Sequence, residues 1–131
     1  MAQISDKELI KKAKEVAIIH KSPDYVTIGE VGCALITDKN NIYVGVSIDA
    51  PCGIGFCAEH SAIATMVTNR EYKIKKIVAV ASNGTVIPPC GRCREMIYEI
   101  DKENYDTEVI INEKQTKKLK ELLPYPWQAK F

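Results

Sequence analysis

The sequence predicts an α/β fold: a three-layer α-β-α sandwich around a mixed sheet. Segments with helical periodicity alternate along the chain with short apolar segments typical of buried strands, and clusters of Gly, Pro and Asn separate them. The 131 residues suffice for one hydrophobic core and are too few for two. We therefore expect a single domain over residues 1–131.

The first half of the chain predicts one helix followed by a β-hairpin. Ser5 and Glu8 have the spacing of a capping box, which marks the start of an amphipathic helix. Strands are predicted at Val31–Thr37 and Ile42–Ser47, and the polar turn Asp38–Asn41 joins them.

The second half predicts three more helices and two more strands. A helix is expected at Ala58–Thr68, and the apolar run Ile77–Ala81 is typical of a buried strand. After two adjacent prolines, a helix is expected at Gly91–Ile100. A strand at Glu108–Ile111 and a short final helix at Thr116–Leu122 complete the prediction.

Composition excludes several classes of function. The net charge is only +1, and the one basic cluster, Lys73–Lys76, is typical of a solvated strand entry, so we expect no nucleic-acid partner and a small-molecule substrate. No apolar run reaches the roughly 18 residues of a membrane span, and the N-terminus lacks a signal-peptide pattern. We expect a cytoplasmic protein without a membrane partner. The five cysteines, an odd number, favour metal or thiol chemistry over a disulfide framework.

Two short motifs bring together three soft metal ligands and one acid. Cys57 and Glu59 flank an alanine, and Cys90 and Cys93 form a second motif after Pro89. Three thiolates on one Zn²⁺ leave one tetrahedral position open for water, as in catalytic zinc sites. The sequence therefore predicts one zinc per chain with Glu59 as the catalytic acid–base, which takes a proton from water and later delivers it to the substrate.

Three thiolates give the zinc centre a net charge of −1, which opposes acidification of a bound water. Helix N-termini beside both motifs offset part of this charge. Candidate side-chain donors to the thiolates are His60, Arg92 and Arg94, and Arg92 is favoured because it lies between two ligands.

A different class of protein, a closed structural zinc domain, stays open at this point. Its fourth ligand would be Cys52 or His60, and Glu59 would then have no function. Cys33, inside a predicted strand, is interpreted as a small buried hydrophobe.

The spacing C-x-E followed by P-C-x-x-C is the signature of zinc-dependent base deaminases. At these residues the chain resembles the cytidine deaminase superfamily, specifically its small three-Cys members, the nucleoside deaminases and the blasticidin-S deaminases. The resemblance spans nearly the whole chain. It rests on Val31–Leu35, Cys57–Glu59, Ser61–Ile63, Pro89–Arg94 and Glu121–Pro124.

The resemblance implies a sheet of about five strands and a homotetramer whose active sites include neighbouring subunits. It also implies hydrolytic deamination of cytidine or deoxycytidine to uridine or deoxyuridine plus ammonia, a reaction of pyrimidine salvage. In such relatives an aromatic residue near the C-terminus stacks into the adjacent subunit's site, and Trp127 occupies that position here.

The chain departs from the family pattern where the substrate is held. Ser47 and Asp49 stand where nucleoside deaminases carry N-x-E, and Gly29 replaces an aromatic residue that packs on the pyrimidine. A modified cytosine nucleoside such as blasticidin S is therefore the alternative substrate, with Gly29 making room for it. The resemblance implies substrate contacts from Ser47, Asp49, Ala58 and Trp127.

Overall fold

The computed structural model describes residues 4–127, so the outermost ends of the expected domain lie outside the described residues. Within that range, every helix is too short or too polar to cross a bilayer. In chain order the elements are α1 (Asp6–Val16), β1 (His20–Lys21), β2 (Thr27–Thr37), β3 (Ile42–Asp49), α2 (Ala58–Thr68), β4 (Ile74–Ala81), β5 (Val86–Ile87), α3 (Gly91–Ile100), β6 (Glu108–Ile110), β7 (Thr116–Lys118) and α4 (Leu119–Leu122).

Within residues 4–127, one mixed sheet of seven strands forms the middle layer. The main path runs β1-β2-β4-β6-β7, with β3 beside β2 and β5 beside β4. All pairs are antiparallel except β4 with β6. Five strands are three residues or longer, which agrees with the expected sheet of about five strands.

The alternation of side chains along β2 separates two cores, one on each face of the sheet. Cys33 and Leu35 pack with α2 and α3, whereas Ala34 and Ile36 pack with Leu9 and other residues near α1. Helices therefore cover both faces, which confirms the three-layer fold. Cys33 is fully buried, as its interpretation as a small hydrophobe requires.

The predicted bounds of α2 and α3 are confirmed, but the predicted final helix is wrong in its first part. Thr116–Lys118 forms strand β7, and only Leu119–Leu122 is helical. The cause is tertiary pairing: Val109 of β6 lies opposite Lys117, and these ladder bonds outweigh local helix propensity. Strands β1 and β5 were not predicted because two residues are too short to show a period.

Helix α2 lies very close to β3, and a glycine makes this approach possible. A Cβ atom at Gly45 would lie 2.4 Å from the backbone nitrogen of Ala62, so no larger residue fits without moving the helix. Because α2 begins directly after Cys57, its distance from the sheet also fixes the position of that cysteine.

A buried carboxylate connects the far end of α2 to the β2–β3 hairpin. Glu71 is 7% exposed, and its Oε2 accepts hydrogen bonds from Tyr43 Oη (2.5 Å) and Asn41 Nδ2 (2.8 Å). Burial alone raises the pKa of this carboxyl. Hydrogen bonds from Tyr43, Thr37 and Asn41, together with the charge of Lys39, outweigh burial, so its pKa lies below the ordinary value.

The lowered pKa predicts an acid-sensitive contribution to stability. Above the pKa of an unfolded glutamate, about 4.3, ionised Glu71 stabilises the fold, and this contribution is lost as pH falls through the lowered native pKa. We expect Glu71→Gln to reduce the free energy of unfolding near neutral pH and to flatten its dependence on pH between about 5 and 3. Urea unfolding across this range measures both effects, and an unchanged pH slope would contradict the assignment.

Candidate active site

Three cysteine sulfurs converge where α2 and α3 begin. The Sγ–Sγ distances are 3.6 Å for Cys57–Cys90 and 3.5 Å for Cys90–Cys93, and all three atoms lie within 4.8 Å of one another. Sulfurs bound tetrahedrally to zinc at 2.3 Å lie about 3.8 Å apart, so the spacing suits this ion. The three cysteines are positioned to bind zinc.

Both motifs lie at helix starts, as predicted. Cys57 is the N-cap of α2 and Cys90 the N-cap of α3, both with extended backbone, and Cys93 lies in the first turn of α3. The extended conformation of Cys57 also explains how Cys57 and Glu59 can face one centre. On a regular helix, residues two apart point in directions roughly 200° apart.

The pKa values of the three thiols are shifted in different directions. Burial acts to raise the pKa of Cys90, but backbone N–H groups of Cys93 and Arg92 and the neighbouring thiols lower it below the ordinary value. At Cys57 and Cys93 burial dominates, so the pKa of both thiols is raised. The expected effect of helix amides thus dominates at Cys90, and binding of a divalent cation would deprotonate Cys57 and Cys93, because a metal-bound cysteine is a thiolate.

Glu59 is the buried acid of the site. It is 4% exposed in the first turn of α2, and burial raises the pKa of its carboxyl. Glu59 also lines a cavity of about 410 Å³ that opens beside the sulfurs of Cys57 and Cys90. The arrangement thus joins a metal-binding cluster, an acid and space for a small molecule.

The cavity wall includes several residues that the sequence predicted and others that it missed. Ser47, Asp49, Ala58 and Arg92 all line the cavity. Two of the missed residues, Glu30 and Val31, lie in β2 where its pairing register with β3 shifts between Ile28 and Gly32. The other missed residues lie near the predicted ones along the chain: Ile48, Ala50, Gly53, Gly55, Phe56, Ile87 and Pro88.

The interpretation of Gly29 as room for a larger substrate is wrong. Gly29 has a φ of 82°, and a Cβ atom there would lie 2.1 Å from the carbonyl oxygen of Ile18. This glycine is therefore required by the backbone, and it does not line the cavity. A glycine inside a strand pattern often marks a bulge, and that signal could have identified Glu30 as a cavity residue.

Of the predicted donors to the sulfurs, His60 lies closest. Its Nδ1 is 3.5 Å from Cys93 Sγ, and burial followed by the charge of Arg92 lowers its pKa. Arg94 differs from the prediction. Its Nε donates to the carbonyl of Pro89 (2.9 Å) and its Nη1 to that of Leu122 (3.1 Å), because these acceptors lie on the side of α3 that Arg94 faces.

Two further residues lie away from this cavity. Cys52 is exposed with a φ of 62°, and the metal-binding cluster found within residues 4–127 does not include it. Trp127 is 59% exposed, and its backbone N–H donates to Glu95 Oε1 at 3.1 Å. Trp127 does not line the cavity of its own chain, so a role in substrate binding requires a second subunit.

Residues 3–107 match the family described as the cytidine and deoxycytidylate deaminase zinc-binding region. The chain belongs to this family. The zinc in the family's description agrees with the three-sulfur cluster, and the mixed sheet with helices on both faces is shared with its solved structures. One example is cytidine deaminase from Mycobacterium tuberculosis, with a TM-score of 0.80 at 20% identity over 97% of this chain and 100% of that chain.

Curated proteins that are similar to this chain include cytidine deaminases and a blasticidin-S deaminase. Cytidine deaminase from Mycobacterium tuberculosis strain H37Rv is 27% identical over 53% of each chain. Blasticidin-S deaminase from Bacillus cereus is 32% identical over 70% of each chain. The chain spans about half the length of the mycobacterial relatives that it matches.

The sulfur cluster predicts which cysteines hold zinc. We expect Cys90→Ser to reduce zinc content from one per chain to near zero, since two remaining thiolates hold the ion weakly. The matched control is Cys52→Ser, which removes an exposed thiol outside the cluster and should retain one zinc. Mass spectrometry of metal content against protein concentration measures both variants, and zinc loss from Cys52→Ser would contradict the site.

Proposed function

We propose that this protein hydrolytically deaminates a cytosine nucleoside, converting cytidine or deoxycytidine to uridine or deoxyuridine plus ammonia. The observation that carries the proposal is one cavity lined by Cys57, Cys90 and the buried carboxyl of Glu59. A structural zinc site has no need of an adjacent cavity or of a buried acid beside it. The family to which the chain belongs supports the same reaction.

Zinc, when bound to the three cysteines, would supply Lewis-acid activation of a water. Glu59 takes one proton from the attacking water and delivers it to the ring nitrogen next to the reacting carbon. It then takes the proton of the hydroxyl group that the water has formed on this carbon and transfers it to the exocyclic amine, which leaves as ammonia. The raised pKa of Glu59 suits both directions of transfer, because a buried carboxyl releases and accepts protons nearer to neutral pH.

The cavity residues suit a nucleoside. The Oγ of Ser47 accepts a hydrogen bond from the Val31 backbone (3.0 Å), so its hydroxyl is held in place and can donate to a ribose oxygen. Asp49 supplies a carboxylate acceptor for ribose hydroxyls, and Ala58 leaves space beside Glu59. Arg92 at the cavity edge offsets the negative charge of the three thiolates.

A modified cytosine nucleoside such as blasticidin S is the second candidate substrate. The relative named blasticidin-S deaminase supports it, as do Ser47 and Asp49 in place of the usual N-x-E. The shorter side chain of Asp49 widens the ribose end of the cavity relative to glutamate.

We infer a homotetrameric, cytoplasmic enzyme of pyrimidine salvage with one deaminase domain. Exposed apolar side chains near the cavity and the C-terminus support assembly, since patches of this kind mark interfaces. They include Ile54 (72% exposed), Tyr125 (93%) and Trp127 (59%). A neighbour's Trp127 could close the open side of the cavity.

Ammonia release from cytidine, deoxycytidine and blasticidin S, with zinc content determined, tests the activity. We expect turnover of the plain nucleosides, whereas turnover of blasticidin S alone would establish the second candidate. Glu59→Gln should retain zinc and reduce kcat by about 10²–10⁴-fold, the usual value of a general acid–base. Zinc-loaded protein inactive on all three substrates, or an active Glu59→Gln, would contradict the proposal.

Light scattering coupled to size-exclusion chromatography tests the assembly. We expect four chains per particle, and Trp127→Ala should raise KM more than it lowers kcat, because the indole would stack on substrate without taking part in proton transfer. The control Tyr25→Ala removes another exposed aromatic residue, 82% exposed, and should leave KM unchanged. A stable monomer with unimpaired activity would contradict the role of Trp127.

A further inference from the structure

The turn that presents Cys90 to the metal includes two residues that cannot donate backbone hydrogen bonds. Pro88 and Pro89 precede the ligand, and neither has an N–H group to donate. Cys90 is the N-cap of α3, so the helix orients the chain that follows this ligand. The chain before Cys90 depends on contacts from outside the turn.

Arg94 supplies such contacts from one turn further along α3. Its backbone N–H donates to the carbonyl of Cys90 at 3.0 Å, and its Nε donates to the carbonyl of Pro89 at 2.9 Å. The carbonyls of the two peptide groups that flank Cys90 are thus held by one residue, one through its backbone N–H and the other through its guanidinium. Arg94 is partly buried, which strengthens these hydrogen bonds relative to an exposed arginine.

The same guanidinium holds the C-terminal segment, residues 119–127. Its Nη1 donates to the carbonyl of Leu122, the last residue of α4, where helix carbonyls lack partners and a cation is favourable. Two more side chains hold this segment. The hydroxyl of Tyr105 donates to the carbonyl of Leu123 (2.8 Å), and Glu95 accepts from Trp127 (3.1 Å).

We propose that Arg94 is a positioning residue that couples docking of the C-terminal segment to zinc affinity. Its guanidinium binds the Pro89 carbonyl, next to the metal ligand Cys90, and the Leu122 carbonyl of the C-terminal segment at the same time. When one of these two parts of the chain is fixed in place, the other is restrained as well. Coupling between two such equilibria is reciprocal: zinc binding should tighten docking of the segment, and docking should tighten zinc binding. The proposal concerns metal retention and goes beyond the proposed reaction, which stands whether or not the coupling exists.

Zinc affinity tests the first half of the coupling, by competition with a chromophoric chelator. Arg94→Lys keeps the charge but has a single nitrogen for two carbonyls, and we expect about tenfold weaker zinc binding. Tyr105→Phe removes the hydrogen bond to the Leu123 carbonyl and leaves the contacts of the Pro89–Cys90 turn unchanged. We expect zinc binding to be about two- to threefold weaker, because only part of the free energy of that hydrogen bond is transmitted to the metal site. The control Asn112→Ala removes an exposed hydrogen bond to Gln115 and should leave zinc affinity unchanged.

Fluorescence tests the reciprocal half, because Trp127 is the chain's only tryptophan and lies in the segment. Zinc added to metal-free protein should shift Trp127 emission in the wild type, and the shift should be lost in Arg94→Lys at saturating zinc. Urea unfolding verifies that both variants are folded. Wild-type zinc affinity in Tyr105→Phe, or an undiminished emission shift in Arg94→Lys, would overturn the proposal.

Discussion

The meeting of three cysteine sulfurs at the starts of two helices is the constraint on which the rest of the structure depends. Cys57 and Cys90 belong to different βα connections, so their sulfurs meet only if α2 and α3 pack side by side on one face of the sheet. Gly45 lets α2 lie against β3, and this close packing fixes the position of Cys57. The zinc site is thus a consequence of helix–sheet packing rather than of a local loop.

The negative charge of the three thiolates is the second constraint. It explains why hydrogen-bond donors and a cationic side chain lie near the sulfurs. Three thiolates carry more charge than one divalent ion balances, and burial makes this excess costly. Backbone N–H groups at the start of α3 lower the pKa of Cys90, while Arg92 borders the cavity and His60 contacts Cys93. At Glu59 burial outweighs the hydrogen bonds from its own backbone N–H and from Cys93, so the pKa of its carboxyl is raised, which suits proton transfer.

The α/β fold and the metal-binding cysteines could be predicted from the sequence because the motifs that carry them are short and local. Helices α2 and α3 both begin at cysteine motifs, and apolar residues recur at helical spacing along α3, so the bounds of both were predicted correctly. Strand β7 was not predicted, since Thr116–Lys118 forms a strand only through its pairing with β6. The partners of Arg94 were also beyond prediction, because Leu122 is distant in sequence and reaches Arg94 only through the path of the C-terminal segment.

X-ray absorption at the zinc edge tests most directly whether three cysteines hold a zinc with one open position. The account predicts three sulfur neighbours at about 2.3 Å and one oxygen at about 2.0–2.2 Å, without the outer-shell scattering of an imidazole. Four sulfur ligands, or three sulfurs with a bound histidine, would describe a closed structural site and contradict the account.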